Sequence, residues 1–563
     1  MQQSLSLPLS LVFLAGSYLS YTPAIAQITP DGTTSTTVNV NGDIVEINDG
    51  DIAGGNLFHS FQDFSVPNGG EAAFNNPDII ENIFSRVTGG NMSNIDGLIR
   101  ANGNANLFLI NPAGIIFGEG ARLDLGGSFY GSTADSILFP DNIEFSASNL
   151  NSPVLTINAP IGLGFRDNPG EVINRSQVTD DTGEDLIGLR VTEDQTLALI
   201  GGDVSIEGGL ITAFGGRIEL GSIRENSNVS LTPIGGGFDI GYEEVVAFRD
   251  ISLSNAALVT VNDANTTDIE VQGRNISLSQ GSLIGITGQT GKIDINASES
   301  LSLDGNAAEV DLGNFPTAIF SRVSGDFTEE TPSINIDTSK LSLTNGAQIE
   351  ANNDIGAVQG VDININASEI ILETLFERDG LFFVPVIASQ VFEEGTGNGG
   401  NINITTATLT LNDGAQITTD TFGSGNGGDL IVNASESIEL NGTIPDEINT
   451  PSALFANVGI PFFPISSAGN AGDITINTPQ LTVSNGAQIA TTAQNNGNGG
   501  NITFNISDSI LITGTSPSAE LGGTGRSGIF VNVEPSFEEF ITDFDTGEET
   551  LTGEIIPTTG NGG

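Results

Sequence analysis

The C-terminal half of the chain repeats one short pattern of alternating apolar and polar residues that ends in a turn. One copy runs from Asn401 to Ile417, another from Asp473 to Ile489, and a third from Ser333 to Ile349. In each copy, two alternating runs precede an Asn-Gly or Asp-Gly turn, where a positive φ costs little. A unit this short cannot bury its apolar face alone, so neighbouring copies must stack. The pattern predicts an all-β fold, a parallel β-helix (β-solenoid) along nearly the whole mature chain.

The repeat has a second level, in which short and long copies alternate. The short copies are Ser333–Val361, Asn401–Gly428 and Asp473–Gly500, and the long copies are Lys292–Pro332, Asp362–Gly400 and Asp429–Gly472. The long copies carry extra residues around a later strand of their own type, at 318–323, 386–391 and 453–458, which returns at 528–533. Because the insertions fall at corresponding corners, we expect them to line one side of the rod, which in solenoids is often the binding face.

The alternation also predicts which side chains fill the coil. The apolar residues of the short copy that starts at Asn401 should point inward and stack, through the intervening long copy, on those of the copy that starts at Asp473. The inward set is Ile402, Ile404, Leu409, Leu411 and Ile417, and it should stack on Ile474, Ile476, Leu481, Val483 and Ile489.

Composition agrees with an extended, exported chain. The 563 residues are too many for one compact core, whereas a solenoid grows one coil at a time. The formal net charge of -55 argues against nucleic acid and anionic membrane surfaces as partners, and favours a solvated surface. The chain has no cysteine, which excludes a disulfide framework and thiol chemistry.

The N-terminus predicts export. A mostly apolar stretch at 5–19 is shorter than a membrane span, and Ala24 and Ala26 form an A-x-A cleavage site before Gln27. We therefore expect residues 1–26 to be a signal peptide. No later run is long and apolar enough to span a bilayer, so any membrane passage should be transient.

The sequence offers little catalytic or metal-binding chemistry. His59 is the single histidine and sits between Phe58 and Phe61, a pattern typical of a packed or edge position. Adjacent acidic pairs such as Glu243-Glu244 mostly diverge, whereas a glycosidase needs two converging carboxylates. The Gly-Asn-Gly-Gly strings come once per coil, not every nine residues as in a calcium-binding roll, and are interpreted as corner turns. We expect no catalytic residues, no metal site and no cofactor.

The region from Gln27 to about Arg249 is different from the repeats and denser. It contains distinctive strings at 56–67, 83–89, 105–118 and 127–134, and a later pair at 199–204 and 215–220. Together, in this order, they resemble the filamentous haemagglutinin N-terminal domain, the secretion domain of two-partner secretion exoproteins. The N-terminal pattern, this resemblance and the repeats together divide the chain into three parts: signal peptide 1–26, secretion domain 27–250, and a repeat region 251–563 with alternating short and long coils.

The resemblance implies a route and a shape. Such a chain passes unfolded through a dedicated outer-membrane β-barrel transporter with periplasmic POTRA domains. It then coils into a right-handed parallel β-helix at the surface of, or outside, a Gram-negative-type envelope. The family's N-P-N-G-I turn is represented by Asn111, Pro112, Gly114 and Ile115, with Ala113 in place of the second Asn, and its N-P-N-L motif has only a loose counterpart at 76–79. Asn111 either contacts the transporter or shapes the turn.

Three functions from different classes remain open. The leading hypothesis is a secreted adhesive or structural rod with a host or matrix glycan or protein as ligand, and no enzymatic activity. The others are a polysaccharide-acting β-helix enzyme, and the stalk of a toxin-delivery protein truncated before its effector. Because the last four residues, 560–563, repeat the Gly-Asn-Gly-Gly string that elsewhere precedes a new coil, we expect further coils to follow Gly563.

Overall fold

The computed structural model describes most of the chain after the predicted signal peptide. It describes residues 27–150, 155–180, 182–183, 186–263, 268–306, 316–325, 332–354, 360–378, 381–392, 395–444, 450–459, 469–494, 497–516 and 526–534, and short strands between 536 and 556. These ranges contain strands and one 3-10 turn, Pro140–Asn142, but no α-helix. No helix among these residues is long and apolar enough to cross a membrane.

Each coil of the parallel β-helix has three faces, which we number in chain order. The first face is formed by Asn56–Ser65, Asn82–Val87, Asn106–Ile110, Phe129–Ser132, Thr196–Gly201 and Arg217–Ser222. The second face is formed by Ser93–Ile95, Ile115–Phe117, Val172–Asn174, Val204–Glu207 and Ile251–Ser254. Successive strands within each face pair in parallel, one coil after the next.

In the repeat region one long strand supplies both the first and the second face. These long strands are Asp268–Ser279, Lys292–Asp304, Ser333–Thr344, Asp362–Glu373, Ile402–Asn412, Leu430–Asn441, Ile474–Ser484 and Ile502–Thr513. The start of the first long strand pairs with Arg217–Ser222 and its end pairs with Ile251–Ser254, with a register shift between Gly273 and Asn275. The long strand therefore continues two faces across a bend.

The third face closes each coil. At the N-terminal end it consists of Ile44–Asp49, Glu71–Phe74, Leu98–Ala101 and Arg122–Asp124. It continues as an eleven-stranded parallel sheet: Leu189–Arg190, Leu210–Phe214, Leu258–Asp263, Leu283–Gly288, Ala318–Val323, Gln348–Asn353, Val386–Val391, Gln416–Thr421, Ala453–Val458, Gln488–Gln494 and Gly528–Glu534. The all-β, parallel β-helical fold predicted from the repeats is confirmed.

Antiparallel pairs occupy the ends and the corners. Gln27–Pro30, Asp51–Ala53 and the hairpin of Thr36–Asn41 with Ile44–Asp49 border the first coils. Phe376–Arg378 pairs with Leu381–Phe383 in a long corner. Ser536–Phe537 pairs with Ile555–Ile556, and Phe540–Thr542 pairs with Glu549–Leu551.

The predicted inward stack is confirmed in register. Ile402 pairs with Leu430, which pairs with Ile474, and Ile404 connects in the same way through Val432 to Ile476. The other three columns also run through the intervening long coil, Leu409–Ile438–Leu481, Leu411–Leu440–Val483 and Ile417–Leu454–Ile489. Every one of these side chains is buried. The repeat period therefore places equivalent residues directly on top of one another.

The alternation of short and long coils arises mainly at one corner, between the second and third faces. In short coils a tight turn joins the two, with Asp413 at φ 53° and Gly414 at φ 90°. In long coils the equivalent connections are much longer, 305–317, 374–385, 442–452 and 514–527. The strand that follows each of them occupies the same position as the Gln-Ile strand of a short coil, for example Ala453 beside Gln416 and Gln488. It is therefore not a separate kind of strand, and the insertions share one side, as expected.

An additional antiparallel sheet, which we call the covering sheet, lies on the outer side of the first face. Its strands are Ile143–Ser146, Ser136–Phe139, Gly162–Phe165, Ser227–Ile234 and Gly237–Gly241, in that spatial order. They come from two insertions between the first and second faces, at 133–171 and 223–250. Together with Phe58, Phe84, Phe108 and Tyr130 of the first face they enclose a second apolar core outside the coil. The sequence analysis did not predict this sheet.

Candidate functional site: the Asn111–Ile115 turn and its surroundings

The Asn111–Ile115 turn forms the corner between the first and second faces of one coil. It connects the strand Asn106–Ile110 to the strand Ile115–Phe117. The Gly114 N–H donates to the Asn111 carbonyl at 3.0 Å, which closes a four-residue β-turn. Pro112 occupies the second position of that turn, where its fixed φ is favourable. The turn chemistry inferred from Asn-Pro-x-Gly therefore agrees with the local geometry.

The side chain of Asn111 is fully buried and uses all its polar groups. Its Nδ2 donates to the Asn91 carbonyl and to Ser93 Oγ, both at 2.9 Å. Its Oδ1 accepts the Ala113 N–H at 3.0 Å. Asn111 thus joins its own turn to the preceding coil. In the folded β-helix a partner cannot reach this side chain, so a transporter can contact it only before the turn has formed.

The remaining residues of the turn are held from both sides. Gly114 has a φ of 128°, and a Cβ at this position would lie 2.7 Å from Met92 Cε. Ile115 is fully buried in the core of the coil. On the other side, Gly170 donates its N–H to the Pro112 carbonyl at 2.9 Å. Only Pro112 and Ala113 are partly exposed.

The structure brings Asn111, Pro112, Gly114 and Ile115 into one corner, and a role for them in transporter recognition stays a prediction. Ala24 and Ala26, the predicted cleavage site, lie outside the described residues.

His59 occupies a packed position, as the sequence predicts. It is 1% exposed, its Nδ1 lies 3.0 Å from Thr36 Oγ1, and its ring packs against Phe61 and Phe74. Burial lowers the pKa of His59 to about 4, despite the opposing influence of Asp51 and Asp49. The imidazole is therefore neutral at physiological pH.

A buried arginine, which the sequence analysis did not single out, joins three parts of the secretion-domain region. Arg86 is fully buried, and its guanidinium donates to Ser60 Oγ on the next strand, to Thr33 Oγ1 and to the Ser146 carbonyl of the covering sheet. It also lies over the Phe145 ring, 4.4 Å from its centre. A signal was present, because an arginine within the apolar run 83–87 must find polar partners when the strand is buried.

Asp31 is the counter-charge of this arginine. Its carboxylate accepts hydrogen bonds from Ser60, Thr33 and Thr88, and Ser60 and Thr33 also bind Arg86. Burial alone would raise the pKa of Asp31, but the hydrogen bonds from Ser60, Thr33 and Thr88 hold it below its ordinary value. The network is a structural connection, since every polar group in it has an internal partner.

Among the described residues, no group of three or more His, Asp or Glu side chains is placed to hold a metal ion. Glu243 and Glu244, the acidic pair that these ranges include, are exposed. The polar side chains described around the turn therefore make structural contacts.

Comparison with known proteins identifies the N-terminal region. The family model described as the TPS secretion domain matches residues 26–278, which include all of 27–250. A segment of 66 residues is 39% identical to the heme/hemopexin-binding protein of Haemophilus influenzae (strain ATCC 51907 / DSM 11121 / KW20 / Rd), and covers 12% of this chain and 7% of that protein. The chain thus matches a small part of that relative.

Among solved structures, the HMW1 secretion domain from Haemophilus influenzae aligns with a TM-score of 0.35 at 15% sequence identity, over 79% of this chain and 97% of that chain. The range matched by the family model includes the strings at 56–67, 83–89, 105–118 and 127–134. The chain carries a TPS secretion domain over residues 26–278 and over this region resembles two-partner secretion exoproteins.

Proposed function

We propose that this protein is exported through a dedicated outer-membrane β-barrel transporter with POTRA domains, and acts outside the cell as an adhesive or structural rod. The TPS secretion domain implies a cognate outer-membrane transporter and passage through the periplasm to the cell surface or beyond. We also propose that residues 1–26 are removed as a signal peptide after Ala26.

The observation that carries the rod function is the continuity of the coil. The parallel sheets run from the secretion domain into the repeat region without a break in pairing, through Arg217–Ser222 and Asp268–Ser279. Each added pair of coils lengthens the rod and adds one long corner. Such a rod can hold a binding surface at a distance from the cell. The long corners, 305–317, 374–385, 442–452 and 514–527, are the proposed contact side for a glycan or protein ligand.

Folding of the coil supports a route without a nucleotide-driven step. Each emerging coil buries its apolar residues on the preceding coil, so the free energy of folding is released one coil at a time. In this scheme the Asn111 turn forms only when residues 91–93 of the preceding coil have emerged, because its side chain is held by Asn91 and Ser93.

Export tests the role of the turn. Replacing Asn111 and Pro112 with Ala, in cells that also express the cognate transporter, should leave the chain in the periplasm. Deleting Asn401–Gly428, a whole short coil, should still allow export, because the stacking register of the remaining coils is kept. Immunoblots of periplasm and culture medium measure both. Blocked export of the coil deletion together with normal export of the turn variant would overturn the assignment of the turn.

Ligand binding tests the rod. Secreted protein applied to glycan and matrix-protein arrays should bind, and removal of one long corner, 442–452, should weaken binding without loss of β structure by circular dichroism. Release of reducing ends from polysaccharides by the same preparation, without binding to either array, would favour an enzyme instead.

A further inference from the structure

The third face of the repeat region carries a row of phenylalanines on its outer side. In successive coils its strands place side by side Gly285, Phe320, Glu350, Ala388, Thr418, Phe455, Ala490 and Phe530. The residues that precede this row in their strands, such as Ile319 and Leu454, are buried in the core of the coil, so the row points outward. A phenylalanine therefore occupies the row in three of the four long coils.

These rings lie along the surface of the sheet. A Cβ added to Gly285 would lie 2.2 Å from the Phe320 ring, so this ring covers a position of the preceding coil that has no side chain. A Cβ at Gly528 would lie 2.5 Å from Cζ of Phe530, so that ring lies over its own strand. Phe320, Phe455 and Phe530 are half-buried. A ring that lies on a sheet turns one face to the protein and offers the other face to a ligand.

The phenylalanines recur at multiples of two coils. Phe455 and Phe530 are two coils apart, and Phe320 and Phe455 are four coils apart. With strands about 4.8 Å apart, these separations are about 10 Å and about 19 Å along the rod. In an extended β-1,4-linked polysaccharide, alternate sugars present the same face, and sugars of one orientation recur at a similar distance. The row therefore has the period of such a chain laid along the rod.

Amide and hydroxyl side chains flank the row on both sides. Two positions before it in the short coils lie Gln348, Gln416 and Gln488, and two positions after it lie Gln390, Asn457 and Thr492. Gln416 Nε2 donates to the Pro451 carbonyl at 3.3 Å, and Asn457 Oδ1 accepts from Thr492 Oγ1 at 2.7 Å. These bonds fix the orientation of both amides. Amides and hydroxyls supply the donors and acceptors that suit the hydroxyl groups of sugars.

The third face also differs in charge from the other two faces of the repeat region. Outward positions on the long strands of the first and second faces carry many carboxylates, among them Glu299, Asp337, Glu369 and Glu439. The third-face strands from Leu283–Gly288 to Gln488–Gln494 carry three charged residues, Arg322, Glu350 and Asp420. Arg322 is paired with Asp354, and Asp420 is buried. In a chain with a net charge of -55, this nearly neutral face fits a neutral, polar ligand.

We propose that the outer side of the third face, from Phe320 to Phe530, binds a neutral β-1,4-linked polysaccharide laid along the rod. Alternate sugars stack on the phenylalanine rings, and sugar hydroxyl groups bond with the flanking amides. The long corners 305–317, 442–452 and 514–527 each lead into a strand that carries one of these phenylalanines, so they border the ligand. This inference rests on the proposed ligand-binding role of the rod, and adds the face and the class of ligand.

Calorimetric titration of the folded, secreted protein with cellohexaose and with chitohexaose tests the proposal. At least one of the two should bind saturably, and the matching disaccharide should bind at least tenfold more weakly because it reaches only one ring. Phe455→Leu should weaken binding at least fivefold, since leucine stays apolar but has no ring face. Phe320→Leu tests the same point in a second coil if Phe455→Leu does not fold. The matched control is Phe214→Leu, at an exposed phenylalanine of a third-face strand in the secretion domain, which should leave the affinity unchanged.

Three results would overturn the proposal. Maltohexaose has α-linkages that coil the chain, so binding as tight as that of the β-1,4-linked hexasaccharides would remove the argument from spacing. Equal affinities of Phe455→Leu, Phe320→Leu and Phe214→Leu would place the ligand elsewhere. Binding to other ligands on the arrays, with no saturable binding of either hexasaccharide, would refute this inference and leave the proposed rod function standing. Absence of any binding on the arrays would refute both.

Discussion

At the scale of single residues, folding fixes the charge state of His59. The imidazole is enclosed by aromatic rings and has Thr36 as its polar partner, so the protonated form would be buried with little compensation. The pKa of His59 is consequently about 4, well below its ordinary value of 6.5. The residue acts as a packing element whose protonation opposes the fold.

This pKa gives a prediction with a definite sign. Between pH 6.5 and pH 4 the unfolded chain binds a proton at His59 that the folded chain does not. Stability should therefore be lost as the pH falls through this window, by roughly 3 kcal/mol for this residue. His59→Gln should remove that contribution. Urea midpoints from pH 7 to pH 4 measure it: the difference between wild type and variant isolates His59 from the many carboxylates. If the urea midpoints of the wild type and of His59→Gln change with pH by the same amount, the prediction is wrong.

At the scale of elements, the coil is stabilised by columns of side chains that occupy the same position in successive coils. Ile404 is fully buried between Ile365 of the preceding coil and Val432 of the next. The neighbouring Thr405 points outward and is exposed. Burial therefore alternates along the strand as the apolar and polar pattern does, and a substitution at one position affects two neighbouring coils.

Ile404→Asp should weaken the rod locally. The substitution would bury an unpaired carboxylate and cost several kcal/mol, roughly 3–5 by analogy with other buried unpaired charges. Limited proteolysis should then cut within the coils around residues 362–441, while the N-terminal region stays resistant. Thr405→Asp is the matched control and should keep wild-type resistance. Unchanged resistance of Ile404→Asp would argue against the register.

The two kinds of element differ in how far they could be predicted from sequence. The columns through Ile402 and Leu409 were predictable because the repeat itself shows which residues stack. The covering sheet was not, since its strands come from two insertions separated by more than fifty residues and pair antiparallel. A partial signal existed: the strand Asn82–Val87 has apolar residues on both sides, Phe84 on one and Ile83 and Val87 on the other, which is typical of a strand buried on both faces.

For the Asn111 turn, the local conformation was predictable and the partners were not. Pro112 and Gly114 indicate a turn by their own backbone preferences. The contacts of Asn111 with Asn91 and Ser93 depend on which coil lies next to the turn. Because this coil is not repeated elsewhere in the sequence, no second copy shows which residues stack on which.

At the scale of the whole molecule, the shape follows from the strand spacing. Coils about 4.8 Å apart, stacked from the secretion domain to the end of the repeats, give a rod on the order of 70 Å long. A net charge of -55 spreads along it. Because each coil contacts only its neighbours, length should be adjustable without loss of the fold.

Removal of residues 401–472, one short and one long coil, should shorten the rod by about 10 Å, which is two strand spacings. The deletion places Ile476 beside Ile365, so apolar columns remain continuous. Small-angle scattering should report the shorter, still elongated particle with unchanged β content. A control deletion of 401–479 joins Gly400 to Gln480, in the middle of the strand Ile474–Ser484. This variant should expose apolar residues and aggregate. Loss of β structure in the first deletion would refute the independence of the coils.

The aromatic residues on the outer side of the first face, Phe58, Phe84, Phe108 and Tyr130, have a consequence for which coils stack on one another. Coils of the repeat region are nearly interchangeable, so a chain folding from its middle could stack one super-repeat out of place and still bury isoleucine on isoleucine. The aromatic members at Phe84, Phe108 and Tyr130 occur once and fit only beneath the covering sheet. These aromatic residues therefore identify the first coils of the array. If the chain emerges from its N-terminal end, each coil therefore stacks on the coil that precedes it in sequence, although other stacking arrangements would be almost equal in energy.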